Sequence, residues 1–282
     1  MTTSYDDPML DLPHWLLSIL ANPVTKQAVA AHHFPLREGV LDARVFLRHT
    51  HGYDGWAEGQ TAYESFGLRD TTDSAGYELE IARDRPVYEH YPLRGRILDC
   101  GGGAGTVREF LPQDTEFVST DPWLAAPFTS SAARKQAYRC LSQPLAFIAA
   151  TAEFQPFLAE SFDWVHMRSM LDHVQVPDLA LLEAWRVLKP GGRVLIGLYV
   201  EGGRTGVSSL ERRVKGAMKA ALETVGINRW KDHHVWHPTY AALTRLIEDN
   251  GFTIVDTYWQ PQWQNMVCYV AATKHSQSLG KV

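Results

Sequence analysis

One stretch constrains the fold of this chain most: an apolar run that passes directly into regularly spaced glycines, from Arg96 to Val107. Ile97 and Leu98 predict a buried strand. The glycines at alternate positions after Asp99 predict a sharp turn, where backbone can approach a ligand without a Cβ in the way. A helix predicted to begin near Gly105 would point free N–H groups at an anionic group over the turn. The stretch therefore predicts a strand, a ligand-binding turn and a helix.

The spacing of the glycines separates three kinds of nucleotide site. A phosphate P-loop needs Gly-Lys-Ser/Thr at its end, and Ala104-Gly105-Thr106 has no lysine, so this alternative fails. A dinucleotide fingerprint that begins at Gly101 would require glycine at 106, where Thr106 stands. An NAD site is weakened by this but not excluded. The pattern that remains is D-x-G-x-G-x-G, with Asp99 as its acidic residue.

Composition limits the classes of protein and partner. The chain has 282 residues, of which 45% are hydrophobic and 21% charged, as in a folded globular protein. The net charge is −5 and no long Lys/Arg run occurs, which disfavours nucleic acid as a partner. The three cysteines form no C-x-x-C pair, and the apolar run between Pro13 and Pro23 is too short for a membrane span. We therefore expect a cytoplasmic protein without a transmembrane segment; its oligomeric state stays open.

Strands and helices are predicted to alternate after the glycine turn. A second strand ends at Asp121, whose carboxylate can accept hydrogen bonds from both hydroxyls of a ribose. Further strands are predicted at 145–150, 162–167 and 193–199, and a helix at 178–188 ends at Lys189-Pro190-Gly191-Gly192. A helix at 239–250 and two strands at 252–259 and 266–272 close the pattern.

Three motifs follow one another in a fixed order between residues 96 and 197: the glycine pattern, A-E-F-Q-P-F with S-F-D-W-V at 152–165, and R-V-L-K-P-G-G-R-V-L-I at 186–196. In this order they resemble the class I S-adenosylmethionine-dependent methyltransferases, in the small-molecule branch. The resemblance implies an α/β, Rossmann-like fold with a seven-stranded, mostly parallel sheet and a terminal antiparallel hairpin. It implies S-adenosyl-L-methionine as the cofactor, bound by Asp99, Gly101, Gly102, Gly103, Gly105, Asp121, Thr151, Ala152, Glu153 and Arg168.

Thr151 departs from that family pattern, which usually has an aspartate that accepts from the adenine amino group. A threonine hydroxyl can still accept, so we expect binding with altered affinity. Backbone groups around Ala152 and Glu153 would supply the remaining contacts.

The rest of the chain is predicted to extend this domain. Residues 1–92 form an N-terminal extension, 93–274 the methyltransferase domain and 275–282 a tail. The extension distantly resembles a zinc ribbon that lacks its cysteines, with Asn22 where the first would be; an ordinary helix and hairpin is the alternative. Its aromatic residues Tyr53, Trp56 and Tyr63 are lid candidates.

Residues 201–237 are predicted to form a helical cap insert. Ser209 would cap a basic amphipathic helix, which we expect to pack on its own domain rather than on a membrane surface.

Histidines are the candidate catalytic residues. A hydroxyl acceptor needs a base, and His173, His234 and His237 could supply it near neutral pH. His233, His234 and His237 form H-H-x-x-H, but Pro238 makes a continuing helix unfavourable, and we expect no metal.

The sequence favours O-methylation of a small-molecule or saccharide acceptor. The alternatives are an RNA (rRNA) methyltransferase, a catalytically inactive cofactor-binding partner module and, last, an NAD oxidoreductase.

Overall fold

A computed structural model describes residues 12–49, 52–67, 74–206 and 234–274. Its strands are β1 Leu36–Arg37, β2 Val40–Asp42, β3 Arg96–Cys100, β4 Glu116–Asp121, β5 Phe147–Ala149, β6 Phe162–Arg168, β7 Leu188–Tyr199, β8 Phe252–Trp259 and β9 Val267–Lys274. Its helices are α1 His14–Leu17, α2 Tyr53–Gly67, α3 Ser74–His90, α4 Ala132–Ala137, α5 Pro177–Val187 and α6 Tyr240–Asp249. Short 3₁₀ turns lie between them.

The nine strands in the described residues form one sheet, in the order β1-β2-β5-β4-β3-β6-β7-β9-β8. Strands β2, β5, β4, β3, β6 and β7 run parallel, whereas β9 is antiparallel to both β7 and β8. The predicted fold is thus confirmed: a mostly parallel α/β sheet with a terminal antiparallel hairpin. The two short strands of the N-terminal segment lengthen one edge of the predicted seven-stranded sheet.

Side chains alternate between two apolar layers along the central strands, as the period of a strand requires. Leu98 of β3 faces the layer that also contains α5 and α6, whereas its neighbour Ile97 faces the layer that contains Tyr88 of α3. Because helices cover both faces, β3 is apolar between Arg96 at its start and Asp99 near its end. This arrangement leaves the carboxyl ends of the parallel strands open to a ligand.

The N-terminal segment packs into the main domain. Strand β2 pairs in parallel with β5, with Leu41 opposite Ile148, and Leu20 forms an isolated bridge with Phe157. Leu16 is fully buried. Within residues 12–49 the structure has a short helix and a hairpin on the sheet edge, so the zinc-ribbon resemblance is not supported there.

One predicted helix is shorter than expected, and other predicted segments lie outside the described residues. The helix predicted near Gly105 is only a 3₁₀ turn, Thr106–Phe110, because Pro112 ends the segment soon afterwards. The predicted helix at Ser209, most of the cap insert and the tail 275–282 lie outside the described residues. In the part of the chain that is described, no helix is both long and apolar enough to cross a membrane.

Candidate active site

A cavity of about 300 Å³ lies at the carboxyl ends of β3, β4, β5 and β6. Its walls come from the glycine turn, from the loops after β4, β5 and β6, and from α2. The residues that line it are Trp56, Gln60, Tyr63, Glu64, Gly101, Asp121, Pro122, Trp123, Ala150, Thr151, Ala152, Glu153, Ser169, Met170, His173 and Val174.

The glycine turn forms the floor of this cavity. The N–H groups of Gly101 and Gly102 donate to the Thr120 carbonyl at 2.7 and 3.2 Å. A Cβ on Gly102 would lie 2.2 Å from a carboxylate oxygen of Asp99, so no larger residue fits. Gly101 itself lines the cavity, while Gly102, Gly103 and Gly105 shape the turn beneath it.

Asp121 lies where the end of β4 meets this turn. Its Oδ1 accepts from the Trp123 N–H at 2.9 Å, and its Oδ2 accepts from the Gly103 N–H at 3.2 Å. Each carboxylate oxygen can accept a further hydrogen bond, which suits the two hydroxyls of a ribose. Burial raises the pKa of Asp121 to about 6.

Asp99 does not line the cavity, because its buried carboxylate pairs with a histidine on the neighbouring strand. Its Oδ1 lies 2.7 Å from Nδ1 of His166, and Nε2 of His166 lies 3.1 Å from the Tyr88 hydroxyl. A carboxylate only accepts, so Nδ1 carries the proton. Asp99 therefore supports the turn from below, and His166 and Tyr88 are site-supporting residues that the sequence analysis missed.

Arg168 also lies outside the cavity lining. Its guanidinium pairs with the buried carboxylate of Asp84 on α3 and lies 3.7 Å from Glu80. Gln260 completes this group by donating to Asp84 at 3.1 Å. The structure thus gives Arg168 a role in holding α3 against the sheet.

The residues predicted to contact the adenine, Thr151, Ala152 and Glu153, all line the cavity. The Thr151 hydroxyl donates to the Val45 carbonyl at 2.8 Å, and its oxygen can still accept. Glu153 Oε1 accepts from the N–H groups of Gln175 and Val176, at 2.7 and 3.2 Å, just before α5 begins. Burial raises the pKa of Glu153. Its carboxylate therefore positions the start of α5 as well as the cavity wall.

Helix α2, which precedes the glycine turn in the chain, forms one wall of the cavity. Of the three lid candidates, Trp56 and Tyr63 line the cavity, whereas Tyr53 is not part of the lining and its ring lies 5.8 Å from that of Trp56. Gln60 and Glu64 complete the wall and were not predicted. Their spacing of four and eight residues from Trp56 places them on the same helix face, and this periodicity was the available signal.

The charges around the cavity are of one sign. Glu64, Asp121 and Glu153 contribute carboxylates, and among the lining residues that the structure describes none is lysine or arginine. Glu64 also helps to raise the pKa of Asp121. A pyrophosphate would meet like charges here, so the lining disfavours NAD and suits a cationic ligand.

The three histidines predicted as catalytic lie together beside the cavity. His173 lines it, its ring stacks on that of His234 with centroids 4.4 Å apart, and the rings of His234 and His237 are 5.4 Å apart. Asp172 lies between the first two: its Oδ1 is 3.7 Å from Nε2 of His173 and its Oδ2 is 3.6 Å from Nε2 of His234. His233 lies outside the described residues.

The fold is that of the class I S-adenosylmethionine-dependent methyltransferases. Its features are the order of the strands, the glycine turn after β3 and the aspartate at the end of β4. Residues 98–196 match the methyltransferase domain family. This region of the chain is therefore similar to a methyltransferase domain.

Curated relatives match the same part of the chain. A ubiquinone/menaquinone biosynthesis C-methyltransferase UbiE from Ruegeria sp. (strain TM1040) is 31% identical over 102 residues, which are 36% of this chain and 41% of that enzyme. The UbiE of Rhizobium etli (strain CIAT 652) is 34% identical over 103 residues, 36% of this chain and 40% of that enzyme. The chain thus spans about two fifths of the length of these relatives.

Solved structures share the fold at low sequence identity. The 1,6-didemethyltoxoflavin-N1-methyltransferase of Burkholderia thailandensis, solved with 1,6-didemethyltoxoflavin and S-adenosylhomocysteine bound, has a TM-score of 0.52 and 16% identity and covers 83% of this chain and 94% of its own. The PH0226 protein of Pyrococcus horikoshii OT3 has a TM-score of 0.50 and 14% identity and covers 71% of this chain and 92% of its own.

Proposed function

We propose that this protein is an S-adenosyl-L-methionine-dependent methyltransferase that methylates a hydroxyl oxygen of a small-molecule or saccharide acceptor. One observation carries the proposal: the same cavity is lined by Gly101 of the glycine turn, by Asp121 and by His173. Gly101 and Asp121 suit a nucleoside cofactor, and His173 suits an acceptor that must lose a proton.

The cofactor is proposed to lie across the glycine turn. Asp121 would accept hydrogen bonds from the ribose hydroxyls, and the loop at Thr151 and Ala152 would contact the adenine. The carboxylates of Glu64, Asp121 and Glu153 favour a ligand with a positive sulfonium and ammonium group. The sulfonium methyl is already activated, so the protein's task is to hold the acceptor in line with the S–CH₃ bond and to exclude water.

The acceptor is proposed to lie between α2 and the loop after β6. Trp56, Tyr63 and Met170 give this part of the cavity a largely apolar wall, and His173 gives it a base. An RNA acceptor would also need a basic surface that a net charge of −5 does not favour.

Carbon methylation is the second candidate reaction, and the curated relatives favour it because both are C-methyltransferases. A carbon acceptor next to a hydroxyl also reacts as its anion, so the same histidines would serve it. The two reactions share the cofactor site and differ only in the atom that receives the methyl group.

Methyl-labelled cofactor tests the proposal. The protein is incubated with it and with hydroxylated aromatic compounds, monosaccharides or RNA, and the position of the label in the product is found by NMR. We expect label on an oxygen of a small molecule. Label on a carbon atom would favour the second reaction. Label in RNA alone would contradict the small-molecule acceptor. If the protein binds the cofactor but transfers no methyl group to any compound, including those in an extract of the source organism, it is an inactive binding module.

A further inference from the structure

We infer that Asp172, His173 and His234 form a binding site for one divalent transition-metal ion of the zinc class. Each residue offers one ligand atom, and these three atoms all lie within 4.8 Å of one another. Two imidazoles and one carboxylate are a donor set that zinc and its neighbours in the first transition row prefer. The inference differs from the expectation of no metal at the H-H-x-x-H motif, since two of the three proposed ligands come from the loop after β6.

The three ligand atoms must move closer together to bind one ion. Tetrahedral zinc with ligands at about 2 Å places neighbouring ligand atoms about 3.4 Å apart. Here Nε2 of His173 lies 3.7 Å from Oδ1 of Asp172 and Nε2 of His234 lies 3.6 Å from Oδ2, and one ligand atom from each of the three residues lies within 4.8 Å of the other two. The His234 side chain is 38% exposed, so it can turn to shorten the remaining separations.

Two features hold the ligands together. The N–H groups of Val235 and Trp236 donate to the Asp172 carbonyl at 2.8 and 3.3 Å, which fixes the His234 segment beside the loop after β6. The Asp172 side chain is only 8% exposed, and its Oδ1 accepts no hydrogen bond from the residues that the structure describes. A buried carboxylate in that position is stabilised by a cation.

The ion would affect the reaction proposed above. A bound ion takes the imidazole lone pair that a base needs, so loading of the site would prevent proton removal by His173. This consequence rests on the proposed function, but the binding of the ion does not. The site is therefore tested by binding alone.

The test is calorimetric titration of the chelator-treated full chain with zinc chloride, supported by visible absorption after addition of cobalt(II). We compare the wild type with Asp172→Asn and His234→Ala; His33→Ala, in the exposed His32–His33 pair, is the matched control. We expect one ion per chain, at least about tenfold weaker binding in both site variants, and no change in the control.

Wild-type protein without one-site binding, or site variants that bind like the control, would overturn the inference. His234 is exposed, so His234→Ala decides the matter if Asp172→Asn does not fold. A melting temperature like that of the wild type shows that a variant is folded. If a folded variant loses the ion, the metal site stands whatever the cofactor and the acceptor prove to be.

Discussion

At the scale of single residues, the site depends on a few ionisable groups whose surroundings set their roles. Asp121 is held by two backbone N–H groups and faces the cavity, whereas Asp99 is directed away from it by His166. In the sequence, both carboxylates lie at or near the end of a predicted strand. Only the structure shows that Asp121 lines the cavity and that Asp99 does not.

Cofactor affinity should depend on pH through Asp121. Burial raises its pKa to about 6, and the ionised form is the one that accepts from both ribose hydroxyls. We therefore expect S-adenosylhomocysteine to bind about tenfold more weakly at pH 5 than at pH 8, because most of the carboxyl is protonated at the lower pH. Calorimetry over this range measures it, and Asp121→Asn should show a much flatter profile. A flat profile in the wild type would contradict the assignment.

Glu64 should distinguish the charged cofactor from its neutral-sulfur product. Its carboxylate lines the cavity near Asp121, so Glu64→Gln should weaken S-adenosylmethionine more than S-adenosylhomocysteine, by roughly threefold to tenfold. Asp54→Asn, an exposed position on the same helix, removes the same charge and should change neither affinity. Equal losses for both ligands in Glu64→Gln would show that the effect is not electrostatic.

One of the three clustered histidines should act as the base. Alanine variants of His173, His234 and His237, compared in the presence of a chelator, should separate the base from its neighbours. We expect the base variant to lose on the order of 10²–10⁴ in turnover with nearly unchanged cofactor affinity, and we expect it to be His173 because that residue lines the cavity. Melting temperatures control for packing effects. If all three variants keep near-native turnover, Asp172 or positioning alone must carry the reaction.

At the scale of elements, the glycine turn has no room for a side chain at Gly102. Gly102→Ala would place a Cβ 2.2 Å from the Asp99 carboxylate and 2.6 Å from the Ser119 hydroxyl oxygen, so the turn must move. We expect a loss of about 1–3 kcal/mol in unfolding free energy and weaker cofactor binding. Thermal unfolding and calorimetry measure both.

Gly55→Ala is the matched control for that substitution. A Cβ on Gly55 has no atom within 4 Å, and the residue lies inside α2, where alanine is the better helix former. It should leave cofactor binding intact and raise stability slightly. A Gly102→Ala variant as stable and as tightly binding as Gly55→Ala would contradict the described turn.

The sequence predicted features that depend on local patterns and missed contacts that depend on how strands pair in the sheet. The apolar run at Ile97 and Leu98 and the glycine spacing are local, and both led to the observed strand and turn. The contact of Asp99 with His166 arises because the two residues are opposite each other in the β3–β6 pair. That register is not visible in either strand alone.

Helix α2 shows a different limit. The aromatic residues predicted a lid but gave no indication of Glu64, since a charged side chain on a helix usually faces solvent. Its position on the Trp56 face follows from helical spacing once the helix is known to cover a cavity. For Arg168 the sequence predicted a contact with the cofactor, whereas in the structure its guanidinium pairs with Asp84 on α3.

At the scale of the whole molecule, the N-terminal segment and the α/β region that follows it share one sheet. Strand β2 extends the sheet beside β5, and the buried residues Leu16, Leu20 and Leu41 lie in the same apolar cluster as Val118 and Ile148. The sequence could not predict this, because a three-residue strand has too few positions to show a period. The proposed cap insert and tail stay predictions.

The central claim is that this cavity binds an S-adenosyl cofactor through Asp121. Calorimetric titration of the full chain with S-adenosylhomocysteine, with NADH as the comparison ligand, tests it most directly. We expect one nucleoside per chain, binding weakened about 10- to 100-fold by Asp121→Asn, and no binding of NADH. A folded wild type that fails to bind S-adenosylhomocysteine, or an Asp121→Asn variant that binds it as tightly as the wild type, would contradict the account.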